Sequence, residues 1–252
     1  MYYRKYFSGT LANYSDRATV PIAGTALTMS VFANQTDLLN NAIATTLTAA
    51  GVDCVYNSTN KQLVVNKMPI SILYTAAMQV SIFSGSNTAV IAGSSGAQYQ
   101  PFNNADYKFY VTVRGDKKNC FDVYWGTNSA PAGIQYGFRI LEAYNKYYNE
   151  EIVCLCGPGS ASTMWPRSRD GNLYRSYAYN ASMACASYLY ANNEFTQNGG
   201  IVPLIPAYTN DGFILLKECY LRPSDLQYNN FYNVAGDLYY VVNGNFMVKC
   251  NE

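Results

Sequence analysis

The sequence of 252 residues contains no histidine. That one absence removes most of the common catalytic devices. A serine or cysteine nucleophile is ordinarily activated by an imidazole, and zinc sites draw heavily on imidazole ligands. Charge is scarce as well. Asp, Glu, Lys and Arg make up 13% of the chain, about half of the ~25% usual in globular domains. With 17 basic and 16 acidic side chains the net charge is +1. Such a balance offers no clustered basic field for gripping phosphates, so specific nucleic-acid binding is not expected. The densest basic groups, Arg4-Lys5, Lys117-Lys118 and Arg167 with Arg169, read as solvated turns.

Long apolar runs are missing too. No stretch approaches the ~18 apolar residues of a membrane-crossing helix. The first seven residues, MYYRKYF, lack the apolar segment of a signal peptide. The expectation is a soluble protein without a membrane span, made without classical secretion. Cysteine is present, but not as a framework: seven residues, at 54, 120, 154, 156, 185, 219 and 250, are odd in number and dispersed. Cys154 and Cys156 lie in the apolar run 152–156, where a strand turns both to one face and buries them as small hydrophobes. No second cysteine pair or histidine completes a metal-ligand set, and reduced, unpaired thiols are expected. The four N-x-S/T sequons, at Asn13, Asn34, Asn57 and Asn180, are about as many as this composition produces by chance.

What fills the gap is neutral polarity. The chain holds 25 tyrosines and 26 asparagines. Tyrosine joins a large apolar surface to a polar tip at low entropic cost, which favours protein interfaces. Contacts built this way depend little on salt.

Along the chain, residues 1–34 read as short extended pieces with turn signals at Ser8-Gly9 and at 21–24. A helix near 37–50 follows, with Thr36-Asp37 as its cap, an apolar stripe of Leu39, Ile43 and Leu47, and Gly51 past its end. Its threonine-rich composition gives mediocre propensity and demands a packed partner. A hairpin over 52–66 turns at 57–60. Segment 70–83 is apolar and fits strand or helix. The small, polar stretch 84–106 reads as a linker or long loop, which places a domain boundary near residue 100. This divides the chain into an N-terminal α+β region, 1–100, and a β-rich domain, 101–252.

Beyond the boundary, 107–114 (YKFYVTVR) alternates and returns through a turn at 115–118 as 120–125. Residues 138–148 and 152–156 read as another strand pair, the first also compatible with a short helix. A loop covers 157–172, segment 174–190 fits strand or helix, and 201–206 and 213–220 read as buried strands. At the end, LYYVV (238–242), Asn243-Gly244 and NFMVKC (245–250) form a hairpin whose Asn-Gly suits a two-residue type I′ turn. The fold expected is mainly β, a β-rich α+β protein of antiparallel sheets or a sandwich, with one or two short helices and long loops.

Candidate chemistry is thin. Ser58-Thr-Asn-Lys61 matches the S-x-x-K serine–lysine pattern, which works where the serine opens a helix. Here it crosses a hairpin turn and no Lys-Thr-Gly accompanies it. Gly157-Pro-Gly-Ser160 lacks the downstream residues of a phosphate loop or nucleophile elbow. Two carboxylates suffice for glycoside hydrolysis, and Glu142, Glu150, Glu151, Asp170, Asp211, Glu218 and Asp225 are available. Tyrosines with Trp125 or Trp165 offer stacking surfaces for sugars. No catalytic, cofactor-binding or metal-ligating residue is assigned.

The segment 213–224 (FILLKECYLRPS), followed by 234–246 (VAGDLYYVVNGNF), resembles the C-terminal ends of bacteriophage virion proteins. These often close with a short strand, Arg-Pro, a polar spacer and a Gly-Asp/Glu-x-Tyr-Tyr hairpin. The likeness covers roughly the last 40 residues and carries no catalytic residue over. It implies a non-enzymatic structural part of a virion, in the tail, collar, baseplate or head–tail region, assembled in the host cytoplasm. Homo-oligomerisation and docking to other virion proteins would be its mechanism, with 84–106 and 157–172 as loops that order on assembly. The alternative is a carbohydrate- or host-surface-binding fibre or adhesin module, and the third a carboxylate-based glycoside hydrolase.

Overall fold

Alternating aromatic or β-branched residues with polar ones give strands whose two faces differ, and such strands must cover one face or both. A computed structural model describes residues 1–76, 79–85, 91–94, 102, 105–116, 120–127, 136–146, 149–156, 164–167, 206–208, 214–222, 226–227, 230–242 and 246–250. In chain order the elements are β1 (Tyr2–Thr10), β2 (Arg17–Pro21), β3 (Thr28–Phe32), α1 (Ala33–Ala49), β4 (Cys54–Asn57), β5 (Gln62–Val65), β6 (Met68–Ala76), β7 (Gln79–Phe83) and β8 (Ile91–Ser94). They continue as β9 (Asp106–Gly115), β10 (Cys120–Gly126), β11 (Tyr136–Asn145), β12 (Glu150–Cys156), β13 (Met164–Arg167), β14 (Pro206–Tyr208), β15 (Ile214–Leu221), β16 (Phe231–Val234), β17 (Asp237–Val242) and β18 (Phe246–Lys249).

The protein is mainly β, with antiparallel sheets curled into a half-barrel and one helix among the described residues. The largest sheet runs β1-β9-β10-β11-β15-β18-β17-β16, with β12 and β13 continuing from β11 and β14 pairing β15. A five-stranded sheet follows chain order, β4-β5-β6-β7-β8, and β2 pairs β3. Strand β11 is buried along nearly its whole length because both faces of the large sheet are covered. One face packs α1 and the five-stranded sheet: Phe109, Val111 and Val113 of β9, Phe121, Val123 and Trp125 of β10, and Phe138 and Ile140 of β11 meet Leu39, Ile43, Leu47, Ile72 and Ile82. This core draws side chains from both sides of residue 100, and β1 pairs directly with β9. The β2–β3 hairpin covers Leu73 and Phe83 on the far side of the five-stranded sheet, through Val20, Ile22 and Val31.

The helix starts earlier than its expected cap. Ala33 donates to the Asp16 carbonyl at 3.0 Å, and the Asn34 and Gln35 side-chain amides donate to the Asn13 and Tyr14 carbonyls at 2.9 and 2.5 Å. The loop at 13–16 thus anchors the first turn, and Phe32 at the cap position makes no side-chain cap. Thr36 instead sits inside the helix, its Oγ1 accepting from the Tyr74 amide at 3.1 Å, while Asn40 Nδ2 donates to the Ile72 carbonyl at 2.8 Å. Two polar helix residues therefore satisfy backbone groups of β6 where β5 has ended. The expected stop holds: Gly51 has φ +81°, its amide donates to Thr48 and that of Val52 to Leu47, each at 3.0 Å, a Schellman closure.

The expected pair 138–148 and 152–156 forms as β11 and β12, and the ambiguous segment 70–83 supplies the strands β6 and β7, with apolar partners on two faces rather than a helical stripe. Other expectations are corrected. Stretch 84–106 contains β8 and the fully buried Phe102, which packs against Tyr74 and Phe109. Ser8-Gly9 lies within β1, where Gly9 pairs Tyr107. Within 157–172 the chain forms β13, and the rest of that segment lies outside the described residues, as do 174–190 and 201–205. The C-terminal hairpin forms, with Val242 paired to Phe246; the turn expected at Asn243-Gly244 lies outside the described residues.

Candidate assembly surface

The face of the large sheet opposite the main core is polar. Cross-strand pairing lines up Tyr2 of β1, Arg114 of β9, Asp122 of β10 and Arg139 of β11 in one row, with Arg4, Thr112 and Tyr124 in the next. Asp122 is 3% exposed and Arg139 1%. Two Arg139 nitrogens donate to Asp122, Nη2 to Oδ2 at 3.2 Å and Nε to Oδ1, and Arg114 Nε reaches Oδ2 at 3.3 Å. Burial alone would raise the Asp122 carboxyl, but the charges and hydrogen bonds of Arg139 and Arg114 hold it below the usual carboxylate value. Arg4 Nε donates to Thr112 Oγ1 at 2.8 Å, Nη2 to the Tyr124 hydroxyl at 3.3 Å, and its guanidinium lies 4.4 Å from the Tyr110 ring centre.

The C-terminal strands lie across this row. Arg114 stacks between the rings of Tyr124 and Tyr240, at 4.5 and 4.2 Å, which seats β17 over β9. Phe231 of β16 meets Tyr2 of β1 edge to face, ring centres 6.4 Å apart at 83°. The two ends of the large sheet thus arrive at the same rim. There Tyr2, Tyr6 and Phe231 are 53%, 61% and 40% exposed.

At this rim β1 has a strand on one side only among the described residues. The Gly115 amide donates to the Met1 carbonyl at 3.0 Å and the Leu11 amide to the Ala105 carbonyl at 2.7 Å. Those two bonds fix the phase of the ladder: odd residues of β1 turn their N–H and C=O groups toward β9, and even ones turn theirs outward. Tyr2, Arg4, Tyr6, Ser8 and Thr10 therefore present backbone donors and acceptors at the open edge.

The sequence candidates are placed elsewhere. Lys61 donates to Asp37 Oδ2 at 2.6 Å, beside the Tyr56 hydroxyl on Oδ1 at 2.5 Å. Ser58 stays exposed in the turn, where the Asn57 side chain accepts from Thr59 and Asn60. Glu142 is buried in β11, and Glu151 on β12 pairs with Lys217 at 2.5 Å. Glu150 pairs with Asn145 across β11 and β12. Glu218 occupies a left-handed kink of φ +51°, where β15 leaves its pairing with β11 and begins pairing β18. Asp170, Asp211, Asp225 and the segment 157–160 lie outside the described residues. Trp125 is fully buried against Tyr136, and Cys154 is buried within β12.

Among the described residues no three Cys, Asp or Glu side chains converge as a metal site, and no helix is long and apolar enough to cross a membrane. The buried charge row beside the rim escaped sequence reasoning, although a signal existed. Arg114, Asp122 and Arg139 each stand between apolar residues or glycine in β9, β10 and β11. No family model, no curated protein and no solved structure matches this chain.

Proposed function

We propose that this chain is a non-enzymatic structural subunit of a bacteriophage virion, of the tail, collar, baseplate or head–tail region. It acts by homo-oligomeric assembly and by docking to other virion proteins. The observation that carries the assembly role is the exposed aromatic rim of Tyr2, Tyr6 and Phe231, where the two terminal strands of one sheet meet. Aromatic side chains exposed beside an open strand edge favour protein contact, since the rings supply apolar area and the edge supplies directional hydrogen bonds. The virion setting comes from the resemblance of the C-terminal segments. Low charge and abundant tyrosine and asparagine suit wide contacts of this kind.

A flat sugar-stacking platform is disfavoured by the 83° angle between the Tyr2 and Phe231 rings. Carboxylate chemistry draws less support, since of its candidates Glu151 is held by Lys217 and Glu142 is buried within β11. The test is the solution mass of the protein by light scattering over a concentration series, at low and high salt. A defined multiple of the 28.0 kDa chain that persists in high salt supports the proposal. A monomer at every concentration overturns it.

A further inference from the structure

We infer that β1 pairs antiparallel with β1 of a second copy, across a two-fold axis at Tyr6, joining the two large sheets edge to edge. The inference rests on the assembly reading above and names its contact. Strand β1 runs nine residues with no proline, and its even-numbered backbone groups face outward. Natural edges of this length are usually blunted by proline, bulges, charged side chains or a covering element. Among the described residues no strand covers this one; it carries the charges of Arg4 and Lys5 and two exposed tyrosines, Tyr2 and Tyr6.

Register follows from three conditions. Antiparallel pairing at the outer edge requires even residues opposite even ones, so that each pair exchanges N–H and C=O groups. Full use of the strand requires the axis at its middle residue, Tyr6. Like charges must not stand opposed. An axis at Tyr6 sets Tyr2 against Thr10, Arg4 against Ser8 and Tyr6 against its own copy. The intervening positions set Tyr3 against Gly9 and Lys5 against Phe7. Moving the axis to Arg4 or Lys5 puts two identical cations face to face, and moving it toward Thr10 leaves part of the strand unpaired. The symmetric register forms about ten backbone hydrogen bonds. Away from the axis it also places a small or apolar residue beside each large or basic one, and a two-fold contact of this type closes on itself as a dimer unit.

The decisive variants act on the outer edge alone. The Ser8 N–H points outward, so Ser8→Pro removes an edge donor without removing a bond to β9. In light scattering on the full chain, Ser8→Pro is expected to halve the wild-type mass while the circular dichroism spectrum is unchanged. Cross-linking gives an independent readout. Across the axis the two Tyr6 Cα atoms lie about 5.5 Å apart, inside the roughly 4.4–6.8 Å range of disulfides. Tyr6→Cys is therefore expected to give a covalent dimer under mild oxidation. Ser8→Cys is not, because the two Ser8 positions sit roughly 13 Å apart along the strands.

An oligomer whose mass is untouched by Ser8→Pro overturns the β1 contact and leaves assembly standing. So do equal cross-linking yields for the two cysteine variants, which also decide the matter if Ser8→Pro fails to fold. A wild-type monomer throughout overturns both.

Discussion

The guanidinium of Arg114 lies 4.2 Å from the ring centre of Tyr240, although 125 residues separate them in the sequence. On its other side the same guanidinium stacks on Tyr124, and its Nε reaches Asp122. One side chain of β9 thus joins the row of buried charges to the C-terminal layer above it. A cation between two ring faces is favoured most when water is excluded, and the low exposure of Asp122 and Tyr240 shows that it is.

Removing the anion of that row is expected to be costly. Asp122→Asn leaves two buried guanidiniums without their carboxylate, and a loss of about 3–5 kcal/mol is expected from one-sided removal of a buried pair. The pH dependence has a definite sign. Because the folded carboxyl lies below its unfolded value of about 3.9, its stabilisation is present above that pH and lost as pH falls through the folded value. Thermal unfolding from pH 7 to pH 2 should show the wild type converging toward the variant at the acid end. Parallel curves would refute this account.

Gly137 faces Tyr124 across the β10–β11 ladder, and a Cβ there would lie 2.6 Å from the Tyr124 Cα and closer still to the Val123 carbonyl. These are backbone atoms within a sheet covered on both faces, so the strands must part. Gly137→Ala is expected to lose about 1–3 kcal/mol or more by overpacking. Gly9→Ala meets only the end of the half-buried Tyr107 side chain and should cost much less. Urea unfolding of the two variants side by side checks the order.

Asn40 is fully buried in α1 and donates to the carbonyls of Thr36 and Ile72. Replacing it by leucine is nearly isosteric, yet it strips a β6 carbonyl of its partner. Asn40→Leu is expected to destabilise by about 1–3 kcal/mol, the cost of an unsatisfied buried acceptor. An apolar gain in the denaturation midpoint would show that the contact with β6 carries no weight.

Burial, with Asp53 adjacent, pushes the Cys54 thiol up to about 12, and burial pushes Cys250 up to about 11. Cys54 should therefore alkylate with iodoacetamide at pH 8 on the order of a hundredfold more slowly in the folded protein than in urea. Since both folded values are raised, the associated stability is present below about pH 8.5 and declines as pH rises toward 11–12. Rapid native-state labelling of Cys54 would overturn this.

Local chemistry alone was enough for several elements. Gly51 ends the helix because only a residue free to adopt positive φ closes it that way, and Asn57 makes its turn with its own side chain. Alternation in 107–114 and 120–125 announced β9 and β10, since a period of two is a property of the strand itself. The helix start was not legible. Thr36 and Asp37 have the chemistry of a cap, but Thr36 serves β6 and Asp37 holds Lys61 and Tyr56, partners that only packing brings near. Segments 70–83 and 138–148 stayed ambiguous because burial on two faces erases the polar phase that tells strand from helix. The rim was hidden for a further reason. Tyr2 and Phe231 are composition until a sheet curls far enough to bring its first and last strands together, and that curl is set by the register of every strand between them.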